Sequence, residues 1–420
     1  MHTVFPSPDL QYGSLGRSAS FCVYFVEETE NPYSENSCEV AMSTTPEKKA
    51  SGDRQTVEEL LKPAGIRVQG DRPWDIQVHD DRFYKRVLSE GSLAAGETYM
   101  DGWWDCEALD EFFFRLLRTD MEADFKWSWR HVWNVARAKV LNLQSLSRSR
   151  EVGEVHYDRG NDLFIRMLDD RMIYSCGYWR NAETLEEAQE AKLDLICRKL
   201  LLEPDMRVLD IGCGWGGFAL YAAEKYGVEV MGVTISEEQA SLARERCEGW
   251  PITIALKDYR EVHERFDRVV SIGMFEHVGY KNYETYMDVV RRCLVDDGLS
   301  MLHTIGRHKT ETITEPWIEK YIFPKGNIPS VRQIGDALEG RFVVEDWHNF
   351  GADYDPTLMA WARNFEEHWD EIADNYDERF RRMWRYYLLQ SAGSMRARRN
   401  QVWQLVLSPH GVEGGYRSVR

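Results

Sequence analysis

The sequence predicts an α/β fold built on a doubly wound, mostly parallel sheet, and three observations carry that expectation. From Glu203 onward, apolar runs of strand length alternate with segments of helical period; the connections are short; and the first run ends in a glycine-rich turn, Gly212-Cys213-Gly214-Trp215-Gly216-Gly217. Glycines there let the backbone take positive φ and approach a ligand, and Asp210 at the strand end can accept hydrogen bonds from it. The ligand site of such a sheet lies at the carboxyl ends of its strands.

The elements are expected in the following order. Strand Arg207–Ile211 leads into helix Gly217–Tyr226, then strand Val228–Val233, helix Glu237–Cys247 and strand Ile252–Leu256. Strand Phe266–Ile272, helix Tyr283–Leu294 and strand Leu299–Ile305 follow, and two further strands are expected at Arg341–Asp346 and Gln401–Leu407. Between these last two, the aromatic segments Leu358–Trp369 and Arg379–Met395 have helical period and would cap the sheet. Ahead of the sheet, Val57, Leu60 and Leu61 mark a helix broken near Pro63, and Ile66, Val68, Ile76 and Val78 mark short strands. Leu88 to Phe114 carries Leu93, Tyr99, Met100, Trp103, Trp104, Leu109 and Phe112, more apolar surface than a lone solvent-facing helix, so it must pack on something. The expected organisation is a smaller, mainly helical N-terminal domain with its linker over 42–150 and the sheet domain over 151–420. Residues 1–41 are rich in turn formers and read as disordered, with Met42 as the expected start and the residues before it an extension.

Composition narrows the function classes. A hydrophobic content of 43% is ample for a core in a 420-residue chain. No apolar run approaches the roughly 18 to 20 residues that cross a bilayer, and the N-terminus has no basic stretch followed by a long hydrophobic one, so a cytoplasmic protein is expected. Eight cysteines without a C-x-x-C pair or histidines at zinc-like spacing indicate neither a disulfide framework nor a metal site. The net charge of −18 opposes nonspecific binding to nucleic acid. Between Phe125 and Arg150 the sign reverses, with no acid present. Lys126, Trp127, Trp129, Arg130, Trp133, Arg137 and Lys139 interleave cations with indoles, a pattern suited to an anionic membrane surface at ~1 kcal/mol per cation. A helix turning its tryptophans inward, with its cations merely solvated, is the competing explanation.

The glycine turn is spaced G-x-G-x-G-G rather than G-x-G-x-x-G, and the second strand ends Gly232-Val233-Thr234-Ile235-Ser236 without the acid that holds a dinucleotide's ribose. Both differences favour S-adenosylmethionine over NAD. Tyr259, after the third strand, is placed to line an adenine pocket, and Asp258 to accept from the exocyclic amine. On the residues alone, Glu276 reads as a general base with His277 as its rival, and His303 as a satisfied core histidine.

From about Ala64 to the C-terminus the chain resembles the cyclopropane-fatty-acyl-phospholipid synthases. The resemblance rests on separated blocks in one order: Tyr99-Met100-Asp101-Gly102-Trp103-Trp104, His156-Tyr157-Asp158, Gly160-Asn161-Asp162-Leu163-Phe164 and Tyr174-Ser175-Cys176-Gly177-Tyr178-Trp179. It continues through Val208 to Gly217, Gly273-Met274-Phe275-Glu276-His277-Val278-Gly279, His303-Thr304-Ile305-Gly306, Tyr321-Ile322-Phe323-Pro324 and Asn349-Phe350-Gly351-Ala352-Asp353-Tyr354. The resemblance implies a Rossmann-like class I methyltransferase sheet with an aromatic helical cap. It implies methyl transfer from S-adenosylmethionine to a cis double bond in a phospholipid acyl chain, then proton loss and ring closure. It implies a cofactor site at Tyr174, Gly212, Gly214, Thr234, Gln239 and Asp258, with the Gln239 amide serving the ribose in place of the missing acid.

The resemblance further implies that the base is a bound bicarbonate ion. Its cage would be the backbone at Cys176, the Glu276 carboxylate, the His303 imidazole, the Ile305 backbone and the Tyr354 phenol, with His277 structural. Such mixed donors and acceptors suit an ion that presents both a hydroxyl and an anionic oxygen. A homodimer docked peripherally on the inner membrane surface through the N-terminal domain is implied as well. One position departs from some family members, Ser391 standing where they carry a cysteine, so a thiol nucleophile there is not expected. Competing functions are a lipid methyltransferase that stops at a methyl or methylene branch, a lipid-binding protein on an inactive methyltransferase fold, and a small-molecule methyltransferase.

Overall fold

In the computed structural model, which describes residues 46–119, 160–312 and 314–420, the first described element is α1 (Pro46–Leu61). Next come β1 (Gln77–Val78), α2 (Arg82–Glu90), α3 (Ser92–Met100), β2 (Trp104–Asp105) and α4 (Leu109–Arg118). The second described stretch opens with α5 (Asn161–Met167), α6 (Leu185–Lys199), β3 (Arg207–Ile211), α7 (Gly217–Tyr226), β4 (Glu229–Thr234), α8 (Glu237–Arg246), β5 (Ile252–Leu256) and β6 (Phe266–Ile272). After them come α9 (Tyr283–Cys293), β7 (Leu294–Arg307), α10 (Pro316–Tyr321), α11 (Val331–Leu338), β8 (Val343–Asn349), α12 (Tyr354–Glu367), α13 (Trp369–Ile372), α14 (Glu378–Arg396) and β9 (Asn400–Ser408). Residues 1–41 and the basic stretch with Lys126, Trp127, Trp129, Arg130, Trp133, Arg137 and Lys139 lie outside the described residues. Pro46–Arg420 cluster as one compact unit.

The central sheet has seven strands in the order β5-β4-β3-β6-β7-β9-β8. The first five pair in parallel, and β9 runs antiparallel to both β7 and β8. Parallel strands are covered on both faces, which is why Val208 to Ile211 read as a continuous apolar run broken only by Asp210. The chain leaves β3 towards β4 on one side and reaches β6 on the other, so a crevice opens at the carboxyl end of β3.

The expected strands and helices between Arg207 and Cys293 are present within a residue or two. Three later boundaries differ. β7 begins at Leu294, because Leu294 already pairs with Phe266 before a register shift. β8 extends to Asn349, because Trp347, His348 and Asn349 keep their partners Leu405, Gln404 and Trp403 on β9. α12 begins at Tyr354 rather than near Leu358, since Pro356 sits in a first turn whose amides have no intrahelical acceptor to lose.

The aromatic cap does more than cover the sheet. α14 lies against both α12 and the N-terminal helices α3 and α4, and one apolar cluster runs from Trp104 and Phe113 through Tyr386 to Trp361 and Trp384. Polar ties reinforce the contact. Arg396 pairs with Asp110 and Asp355 at 2.8 Å each, and Arg382 pairs with Asp105 at 2.6 Å. Glu97 on α3 is buried and accepts from Lys320 at 2.5 Å, from Tyr321 at 2.9 Å and from Arg86. Among the described residues no helix is long and apolar enough to cross a membrane.

Gly393 lets α14 and α4 touch at the backbone. A Cβ there would lie 2.6 Å from the Asp110 carbonyl oxygen and 2.8 Å from the Phe114 amide nitrogen. Gly393→Ala gains about 1 kcal/mol of helix propensity but meets an overpacking cost of about 1–3 kcal/mol, and backbone atoms cannot yield as a side-chain tip can. Net destabilisation is expected in urea unfolding. A more stable variant would mean that the two helices are not in backbone contact.

Candidate active site

β3 carries Asp210 to the edge of the crevice, 1% exposed, with no hydrogen-bond partner for Oδ2. Burial pushes its carboxyl up to about 7, opposed by the charge of Lys192. The chain then turns through Gly212 at φ 82° and Gly214 at φ 54°. A Cβ on Gly212 would meet Met274 at 2.7 Å, whereas one on Gly214 would meet nothing within 4 Å, so Gly214 opens onto free space. The amides of Gly212 and Cys213 donate to the Val233 carbonyl at 2.9 and 3.1 Å, which pins the turn to β4.

All seven residues expected around the cofactor line one cleft: Tyr174, Gly212, Gly214, Thr234, Gln239, Asp258 and Tyr259. It encloses about 1300 Å³ of non-protein space, part of it open to solvent. Ser236 caps α8 by accepting from the Gln239 amide, and the Thr234 hydroxyl donates to Gln239 Oε1 at 2.9 Å. With its oxygen engaged, Gln239 has its NH2 group to offer, a donor suited to ribose oxygens. The Asp258 carboxylate is in a two-point pair with Arg260 at 2.8 and 2.6 Å, so an exocyclic amine would share an acceptor that is already charge-balanced. Tyr259 presents a half-buried ring 5.6 Å from that of Tyr286, and the Tyr174 hydroxyl lies 2.8 Å from that of Tyr387. An open glycine, a buried carboxylate oxygen without a partner and an amide donor fit a nucleoside bearing a polar, charged tail.

None of the five expected anion-cage residues lines this cleft, although Cys176 follows Ser175 and Glu276 precedes His277, both of which do. Gly273, which lines the cleft, donates its amide to the His303 carbonyl at 2.9 Å. Glu276 stands in a short 3-10 turn, Phe275–His277, directly after β6. Its Oε1 accepts from the Ile305 amide at 2.6 Å, and Oε2 is buried without a partner. Burial raises the Glu276 carboxyl to about 7, with the Ile305 amide pulling the other way. The Ile305 N–H, expected to face an anion, is therefore spent on Glu276. His303 is 2% exposed and held well below its usual value by burial and by the charges of Lys192 and Lys199, so its ring is neutral. The side-chain amide of Gln404, its cross-strand neighbour, lies 3.3 Å from Nδ1. Phe350 packs edge-on against both His303 and Tyr178. Tyr354 opens α12 with its ring against Trp361. Cys176 is fully buried, and burial raises its thiol far above the range in which a thiolate forms.

His277 also lines the cleft, and burial alone pulls its imidazole down to about 4, so it stands there neutral. One cleft residue had no signal in the sequence. Lys192 lies in α6 among Glu186, Glu187 and Glu190 and reads as solvent-facing, yet it is wholly buried and donates to Ser175 Oγ at 2.8 Å. Ser175 in turn accepts from the Gln189 side chain through its carbonyl at 2.8 Å. Burial lowers the Lys192 ammonium, and Asp169 opposes that shift.

Comparison with known proteins agrees with this geometry. Residues 144–405 match the family model for mycolic acid cyclopropane synthetase. The chain is 58% identical over 362 residues to the cyclopropane-fatty-acyl-phospholipid synthase of Escherichia coli, covering 86% of this chain and 94% of that one. It is 31% identical over 365 residues to a tuberculostearic acid methyltransferase of Mycobacterium tuberculosis, covering 79% and 82%. A crystal structure of a mycolic acid cyclopropane synthase complexed with SAH and CTAB superposes with a TM-score of 0.58 at 32% identity, over 61% of this chain and 97% of that one. With its glycine turn, its nucleoside cleft and these matches, the chain belongs to the cyclopropane synthase family of S-adenosylmethionine-dependent methyltransferases.

Proposed function

We propose that the chain transfers a methylene unit from S-adenosylmethionine to the cis double bond of unsaturated acyl chains in membrane phospholipids, forming cyclopropane fatty acids. What carries the proposal is the similarity to the Escherichia coli synthase over nearly its whole length. The methyl group comes from S-adenosylmethionine, which Tyr174, Gly212, Gly214, Thr234, Gln239, Asp258 and Tyr259 would hold. An alkene is a weak nucleophile, so the chain's task is to fix its double bond at attack distance from the cleft. The positive charge that develops on the acyl chain requires walls that exclude water and offer π-faces rather than lone pairs. Tyr178 and Phe350, packed edge-on against each other, would supply such a wall.

Bicarbonate, in this proposal, supplies the base that removes the final proton. Glu276 Oε2 would accept its hydroxyl while Oε1 stays anchored by Ile305, and His303 and Tyr354 would donate to its oxygens, with the backbone at Cys176 closing the cage. A buried, protonated Cys176 and a serine at 391 leave no thiol nucleophile at either position. Docking through the basic stretch at 126–139, as a homodimer on the inner membrane surface, completes the proposal. Similarity to a tuberculostearic acid methyltransferase favours a second possibility, methyl or methylene branching without ring closure.

Incubation with S-adenosylmethionine and vesicles of oleoyl phospholipid is expected to yield acyl chains heavier by one methylene that resist hydrogenation; a branched olefin in the mass spectrum would select the second possibility. Glu276→Gln is expected to lower turnover by about 10²–10⁴-fold, the scale of a lost acid–base group, with S-adenosylmethionine affinity within about twofold of wild type. Unchanged turnover would remove Glu276 from the cage. Glu276 can accept the bicarbonate hydroxyl only when ionised, and its carboxyl is raised to about 7. At fixed bicarbonate concentration, kcat should therefore fall as the pH drops through about 7, and a flat profile between about pH 6 and 8 would contradict that role.

A further inference from the structure

The segment from Tyr174 to Trp179 joins the two parts of the site, since Tyr174 lines the cleft and Cys176 stands in the proposed cage. Across from it, α12 opens with Tyr354, also of the cage, and presents Thr357 just under one turn later. Thr357 is wholly buried and does not line the cleft. Its hydroxyl is used to capacity. Oγ1 accepts from the Gly177 amide at 3.1 Å and from the Trp179 indole N–H at 2.8 Å, and it donates to the Asp353 carbonyl at 2.8 Å. The Trp179 amide donates to the carboxylate of the same Asp353 at 2.7 Å.

A threonine inside a helix often donates to the carbonyl one turn back, and that alone would explain the bond to Asp353. It does not explain two accepted bonds from a segment 180 and 178 residues away in the chain. Those bonds set the height of residues 177–179 over the start of α12, and with it the distance between Cys176 and Tyr354. Tyr174 and Ser175 are held separately, by Tyr387, Gln189 and Lys192. The cleft half can therefore keep its geometry while the cage half moves.

We infer that Thr357 is a positioning residue for the anion cage, its hydroxyl fixing the Cys176 backbone against Tyr354; the inference rests on the bicarbonate proposal above. Thr357→Val keeps the shape and leaves the buried Gly177 amide and the part-buried Trp179 indole N–H without their acceptor, a loss that the segment relieves by shifting. In the full-length protein acting on oleoyl phospholipid vesicles in carbonate-depleted buffer, the bicarbonate concentration for half-maximal rate should rise by about tenfold or more. The KM for S-adenosylmethionine should stay within about twofold, and Thr357→Ser, which keeps the hydroxyl, should restore the bicarbonate response. A wild-type bicarbonate response in Thr357→Val overturns the inference, as does an equal defect in the Val and Ser variants, which would indicate lost methyl packing. Should Thr357→Val fail to fold by circular dichroism, Trp179→Phe removes one of the two donors and should move the response in the same direction by less. Wild-type turnover indifferent to bicarbonate, together with an active Glu276→Gln, would instead remove the cage itself and Thr357's role with it.

Discussion

Desolvation of ionisable groups at the carboxyl ends of β3 and β6 and on α6 is the constraint on which the rest of the site depends. Asp210, Glu276 and Lys192 are all buried, and two of the carboxylate oxygens have no partner. Each such group costs stability, because burial disfavours the charged form and an orphan acceptor forfeits its hydrogen bond to water. The surrounding fold offsets this through an extensive aromatic cap and a sheet covered on both faces. The return is preorganisation: polar atoms already aimed where charge arrives need no rearrangement at the moment of reaction.

The sheet was largely legible in the sequence because strand and helix periods are local properties. Val208 to Ile211, the turn after it and the helix from Gly217 could each be read within a window of a dozen residues. Boundaries that depended on partners far away could not, as with Leu294 on β7 and Asn349 on β8. The same division runs through the site. The cleft residues lie beside strand ends, where sequence position alone implies location. The burial of Lys192, the capture of the Ile305 amide by Glu276 and the pairing of Asp258 with Arg260 are set by packing and by which partner reaches a group first. Glu276 could be read as a base from the residues alone, but the cage as a set was legible only through family resemblance, since no spacing links Cys176 to Tyr354.

Glu276 illustrates why burial and hydrogen bonding have to be weighed together. Burial raises its carboxyl, while the Ile305 amide at 2.6 Å stabilises the ionised form, and burial is the larger effect. The result is a group near its midpoint at neutral pH, with one oxygen fixed and the other available. An exposed glutamate would be fully ionised but solvated, and one given a second amide would have its remaining oxygen already engaged.

The close approach at Gly393 has a consequence of phase. Gly393 meets α4 and Tyr387 meets Tyr174 at the cleft, and both lie on α14. An α-helix turns by about 100° per residue, so the number of residues between these two positions fixes their relative facing. Inserting or deleting one residue between them would leave both contacts chemically possible but aimed in different directions. That stretch of α14 is thus constrained in length more strictly than in composition, like the teeth between two meshed gears.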